Sequence, residues 1–98
     1  MNKAEMVERL AQRTGMSLKD TRHMVDAIFD PNPGVGLIAA ELVRRGKVSI
    51  SGFGTFETRP RKAREGRNPH TGEVLQLPAR WMPTFKAGKP LKETLRQA

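Results

Sequence analysis

The 98-residue chain has no cysteine, no tyrosine, a single tryptophan and four phenylalanines. Without cysteine there is no disulfide scaffold and no thiolate metal site. No apolar run approaches the roughly 18 residues that would span a bilayer. Met1-Asn2-Lys3 leads into a polar helical pattern with no apolar signal segment, so a cytosolic chain is expected. His23 and His70 are the only histidines and do not form a H-E-x-x-H pair, so a metal site is not expected. Ser49 and Ser51 have no identifiable histidine base, which leaves no support for covalent catalysis. No catalytic residues, cofactor or small-molecule substrate are expected, and the chain reads as a non-enzyme.

Acidic side chains are scarce where basic ones crowd. The whole chain carries 18 Lys+Arg against 10 Asp+Glu, a formal net charge of +8. Residues 1–58 hold eight basic and seven acidic groups, whereas residues 59–98 hold ten and three. Solubility does not require clustering of one sign, so the excess points to a polyanionic partner, nucleic acid or an anionic membrane. With 37% apolar residues the chain is not compositionally disordered, yet it has little material for a private core.

The elements follow from periodicity. Asn2 caps a first helix in which Met6, Val7, Leu10 and Ala11 recur at helical spacing, and Thr14-Gly15 ends it. Ser17-Leu18-Lys19-Asp20 resembles a capping box for a second helix, whose Leu18, Val25, Ile28 and Phe29 form one stripe. Asp30–Gly36, with two prolines and two glycines, breaks the pattern. Helical spacing resumes at Leu37 and ends around Arg45-Gly46. The period then becomes two: Lys47–Ser51 is a half-buried strand, Gly52-Phe53-Gly54 a tight turn or bulge, and Thr55–Arg59 a second strand. Alternation returns at Val74, Leu75 and Leu77. Trp81, Met82 and Phe85 are expected to be buried around Pro83, and a last helix, about Lys89 to Arg96, has Leu91 and Leu95 inward. The single domain thus divides into a helical region, 1–46, and a sheet with an arm, 47–98. Removing the arm leaves roughly 75–80 residues for a core, a size at which oligomerisation is a common remedy. A homodimer is expected.

Between the second and third strands lies an excursion with almost no apolar side chain. From Arg59 to Gly72 it has five cations, Arg59, Arg61, Lys62, Arg64 and Arg67, against one carboxylate, Glu65. Pro60 fits a ribbon whose strands are both edges. Asn68 before Pro69 is pushed toward extended geometry, and Gly72 can take positive φ. This places a pyrrolidine near the apex. Arginines along such a ribbon reach phosphates or enter a narrow minor groove. Pro69 is either an ordinary turn residue or a wedge between base pairs, which would leave the duplex bent. Residues alone leave both open.

Gly52-Phe53-Gly54-Thr55-Phe56-Glu57, then Arg59, Arg61, Arg64 and Gly66-Arg67-Asn68-Pro69-His70-Thr71-Gly72, resemble the signature of the bacterial HU/IHF family. Phe85-Lys86-Ala87-Gly88-Lys89-Pro90-Leu91-Lys92 is similar to its C-terminal segment and Met1–Glu5 to its start. The resemblance covers essentially the whole chain, and Thr55 and the lack of terminal extensions set it nearer HU than integration host factor. It implies an α+β fold: an intertwined dimer with a helical-hairpin base, a three-stranded antiparallel sheet with a protruding β-ribbon arm (about 59–76), and a short C-terminal helix. It implies a DNA-binding surface of Lys3, Arg59, Arg61, Lys62, Arg64, Arg67, Asn68, Pro69, His70, Thr71, Arg80 and Lys86, with Pro69 intercalating in the minor groove. Phe53, Phe56 and Phe85 would form the dimer core. The function implied is architectural: duplex DNA bent, wrapped and stabilised with low sequence specificity in the nucleoid.

The chain departs from the family in two places. Asp30–Gly36 holds an insertion of about six residues where the family has continuous helix, and Trp81 stands near a position commonly occupied by lysine. Trp81 means either one phosphate contact fewer or a larger apolar plug at the arm's root; burial is the preferred reading. Gly34-Val35-Gly36-Leu37-Ile38-Ala39 fits G-x-G-x-x-A, but no strand precedes it and the chain is short for a dinucleotide-binding domain. The alternatives are a site-specific bending factor like integration host factor, a heterodimer with a paralogue, or a basic RNA-binding scaffold. Membrane insertion is disfavoured, because the arm lacks an aromatic and leucine face.

Overall fold

Asn2 keeps an extended backbone, and its side chain accepts a hydrogen bond from the Glu5 N–H at 2.9 Å, which starts helix α1, Lys3–Thr14. The computed structural model describes residues 1–98 as two units, Met1–Arg44 and Arg45–Ala98. In the first, the Gly15 N–H donates to the Ala11 carbonyl and closes α1. The Ser17 hydroxyl accepts from the Asp20 N–H at 3.1 Å and opens α2, Leu18–Phe29, where Asp20 also suits the positive end of the helix dipole. Val7 and Val25 are buried, and so is Thr21, whose hydroxyl donates to the Ser17 carbonyl at 2.8 Å. Of the stripe along α2, only Val25 is buried; Leu18, Ile28 and Phe29 are exposed. Two helices of twelve residues touch along one seam, too narrow to cover the rest. A groove of about 190 Å³ lined by Leu10, Met16, Met24, Val25 and Ile28 remains between them.

The Pro/Gly break after α2 is an ordered loop. The Asp30 carboxylate accepts from the Asn32 N–H, and the Asn32 side chain accepts from the Gly34 N–H, each at 2.8 Å. The Asn32 carbonyl accepts from both Val35 and Gly36 at 2.9 Å. A Cβ at Gly36 would lie 2.1 Å from the Asp30 carbonyl oxygen, so only glycine closes this loop. The N–H groups of Gly34, Val35 and Gly36 are thus spent within the loop. Helix α3, Leu37–Val43, follows.

In the second unit β1 (Val48–Ile50), β2 (Gly54–Arg61) and β5 (Arg80–Ala87) form an antiparallel sheet in the order β1-β2-β5. Val48 pairs with Phe56; on the other side Phe56 faces Phe85 and Arg61 faces Arg80. β3 (Arg64–Arg67) and β4 (Val74–Leu77) form a separate two-stranded ribbon, with Arg64 opposite Leu77 and Arg67 opposite Val74. The single third strand expected from sequence is thus two, interrupted at residues 78 and 79. Pro78, lacking an N–H, stands at the interruption. β1 covers β2 only as far as Phe56, so Pro60 sits where the strand's other edge is free, as the ribbon reading requires. Helix α4, Lys89–Gln97, begins with Pro90 in its first turn, and the Gly88 N–H ties it to the Phe53 carbonyl at 2.8 Å.

Alternation gives this sheet two unlike faces. Val48, Ile50, Phe56, Thr58, Pro60, Trp81, Pro83 and Phe85 share one, and Ser49, Thr55, Glu57, Arg59, Arg61, Arg80, Met82, Thr84 and Lys86 the other, where Met82 stands opposite Arg59. Phe85 lies 4.9 Å from Phe56 and 5.7 Å from Phe53, ring centroid to centroid, in tilted pairs. The burial expected for the apolar group is incomplete. Trp81 is 47% exposed, Phe85 44% and Phe53 48%, and Met82 is half-buried. Three strands and one short helix cannot cover this face by themselves. The apolar plug expected of Trp81 is likewise a half-open ring under the Arg45 guanidinium, 4.4 Å from its centroid. In α4, Leu91 is half-buried and Leu95 exposed.

Candidate nucleic-acid interface

The polar face of the sheet carries the cations. Arg59 and Arg61 follow one another at i, i+2 on β2, and Arg80 stands directly across from Arg61 on β5. Like charges directly opposite repel, so this pair suits an anion bound between them. Lys62 is exposed in the gap between the two ladders. Arg64 and Arg67 are three residues apart on β3, so the ribbon offers cations on both faces, and both are exposed. One carboxylate dilutes this charge: Glu65 faces Gln76, whose amide donates to it at 3.4 Å.

The tip is built by Asn68. Its carbonyl accepts from the Gly72 N–H at 2.8 Å, its side chain from the His70 N–H at 2.9 Å, and its own N–H donates to the Glu73 carbonyl at 2.9 Å. The Thr71 hydroxyl accepts from the Glu73 N–H at 3.3 Å. Gly72 takes φ 74°, which lets the chain turn back. Pro69, which has no N–H to satisfy, occupies the first corner with its ring exposed. The turn is tied together by its own hydrogen bonds, and the pyrrolidine and His70 are left exposed to solvent.

At the root of the arm the charges converge. Glu57 is 7% exposed, and three cations meet its carboxylate: Lys86 at 3.1 Å and Arg59 at 3.6 Å on Oε1, Lys47 at 3.4 Å on Oε2. Lys86 above all, and Lys47 with it, hold this carboxyl below its usual range, against the opposing effect of desolvation. Lys3, on the other unit, is paired with the Asp26 carboxylate. Sequence reasoning places Arg59 and Lys86 in the surface but overlooks Glu57 and Lys47. The hairpin register is the signal that could have found them, since it sets residue 47 opposite residue 57 once Val48 pairs with Phe56.

The expected surface is therefore assembled in part. Arg59, Arg61, Arg80 and Lys86 share one sheet face, Arg64, Arg67, Asn68, Pro69, His70 and Thr71 form the ribbon and its tip, and Lys62 lies between. Lys3 belongs to the other unit.

A basic sheet face followed by a cationic, proline-tipped ribbon defines a class of protein that grips an anionic polymer with an arm. The profile of the family described as bacterial DNA-binding protein matches residues 1–96, and the chain belongs to this family, that of HU and integration host factor. It is 45% identical over 97 residues to the DNA-binding protein HU of Geobacillus stearothermophilus, covering 98% of this chain and 100% of the other. The HU of Lactococcus lactis is 44% identical over 96 residues, covering 97% and 98%. Among solved structures, an Anabaena HU–DNA cocrystal is similar over 100% of both chains, with 37% identity and TM-score 0.84. HU from Thermotoga maritima is 30% identical with TM-score 0.64, covering 97% and 98%.

Proposed function

We propose that this protein is an architectural DNA-binding protein, which grips duplex DNA with its β-ribbon arm and holds it bent. The observation that carries this reading is the pairing of an exposed cationic ribbon with a hydrogen-bonded tip that presents Pro69. Phosphate contacts from Arg59, Arg61, Lys62, Arg64, Arg67, Arg80 and Lys86 supply affinity without base identity. Asn68 and its partners hold the corner rigid, so Pro69 can enter a base step and unstack it at a cost of a few kcal/mol. Thr71 and His70 flank it. Lys3 adds a contact from the helical unit, and the protein acts in the nucleoid and catalyses nothing.

The working form is a homodimer. Supporting this are the half-exposed Phe53 and Phe85, the apolar sheet face around them, and the open groove between α1 and α2. A chain of this size gains its missing core from a second copy. Sedimentation equilibrium at micromolar concentration tests it: twice the chain mass is expected, and a monomer with DNA affinity intact would refute it. For the function itself, the protein is titrated against a linear duplex and the same duplex with a nick, at several salt concentrations. If about six to ten phosphates are neutralised, log K falls against log salt with a slope of roughly −5 to −9. Tighter binding to the nicked duplex supports the wedge, since bending there is easier. A shallow slope, or equal binding to single-stranded RNA, would overturn the reading.

A further inference from the structure

Glu57 is out of place on a surface meant for phosphate. A carboxylate there repels the ligand, yet this one lies at the centre of the most cation-rich spot on the sheet. Its depth resolves the conflict. The residue is 7% exposed, whereas the side chains of Lys47, Arg59 and Lys86 remain 58–69% exposed around it. It therefore forms a floor beneath the three cations, and they shield it from an approaching anion.

The three come from three strands or their ends. Arg59 is two residues on from Glu57 along β2, Lys47 lies opposite in the β1 hairpin, and Lys86 is diagonal on β5. Three like charges with no counter-ion would splay into solvent. Glu57 gathers them instead, and each has donors to spare: an ammonium has three and a guanidinium five. A carboxylate below and a phosphate above can thus share the same cations, with two net positive charges left for the incoming anion. We propose that Lys47, Arg59 and Lys86 form one phosphate seat at the root of the arm, with Glu57 as its positioning residue and Lys47 a direct phosphate ligand.

This inference rests on the DNA-binding reading for its ligand, a backbone phosphate, but its test does not depend on that reading alone. Lys47→Ala removes an exposed side chain and leaves the fold intact. Duplex affinity is expected to drop severalfold, and the salt slope to flatten by about 0.9 for each phosphate no longer neutralised. Glu57→Gln raises the net charge by one and keeps the size of the side chain, while one of its two acceptor oxygens becomes an NH2 donor. A seat that needs its floor binds duplex more weakly after this change, and Lys47→Ala then costs little more in the Glu57→Gln background. Tighter binding by Glu57→Gln would make Glu57 a mere competitor and overturn the proposal, as would an unchanged affinity and slope in Lys47→Ala. A melt of Glu57→Gln checks that it is folded. Side-chain NMR with inorganic phosphate gives an independent reading: the Lys47 and Lys86 Nζ resonances are expected to shift together in the wild type and not in Glu57→Gln. If the wild type fails to bind duplex while these signals move with phosphate, the DNA reading falls and the seat stands. If they stay fixed, the seat falls.

Discussion

Arg61 and Arg80 face each other at the last rung of the β2–β5 ladder, and the proposed phosphate contact and stability pull on them in opposite directions. Without ligand, two guanidinium groups directly across a ribbon cost a few tenths of a kcal/mol. With a phosphate between them, each becomes a ligand to it. Arg80→Ala should therefore melt at the same temperature as the wild type or up to a few degrees higher, while its DNA affinity falls. Each phosphate that is no longer neutralised flattens the slope of log K on log salt by about 0.9, or about eightfold in affinity at 0.1 M salt relative to 1 M. In the proposed homodimer two arms each leave one phosphate bare, which makes the expected change about 1.8 in slope and roughly sixtyfold in affinity. Fluorescence anisotropy with a labelled duplex between about 0.05 and 0.2 M salt resolves both, and a thermal melt gives stability. An unchanged slope would show that Arg80 touches no phosphate. A lower melting temperature would show that the pair is held together by something other than bound anion.

Pro69→Ala should leave the hydrogen-bonded turn in place and general affinity nearly unchanged, but reduce the preference for nicked over intact duplex; competition binding measures this. Glu57 is held below the usual carboxylate value of 4.5, so the stability it contributes is present above that pH and is lost as pH falls through the lowered folded value. The melting-temperature gap between wild type and Glu57→Gln should accordingly shrink from about pH 5 toward pH 3, and a gap independent of pH would contradict the ion cluster. Gly36→Ala forces a methyl against the Asp30 carbonyl oxygen and should cost about 1–3 kcal/mol in urea denaturation.

Much of this architecture is legible in the chain because local signals agree with one another. Asn2, Ser17 and Gly15 mark helix ends by their capping chemistry, and the change from period 3.6 to period 2 at Lys47 marks where helices give way to strands. The arm is legible because residues 60–73 have nothing to bury, and its tip because Asn68, Pro69 and Gly72 each demand a particular backbone. Burial is harder to read. Periodicity identifies the face a residue shares but not what covers that face, so it assigns Trp81, Phe85 and Leu95 to a core that one copy of the chain does not close. The break after Leu77 escapes the same reasoning because apolar alternation runs through it. The ion cluster at Glu57 escapes for a different reason: it depends on register across three strands, which composition and charge runs along the chain do not express.

An arm that bends duplex DNA must shorten the distance between the duplex ends, and energy transfer on a doubly end-labelled linear duplex reads that distance. Saturating protein is expected to bring the ends closer, with Pro69→Ala restoring much of the free-DNA distance at the same occupancy. Saturation with no change in distance would leave a protein that coats DNA without shaping it, and bending by the arm would be refuted.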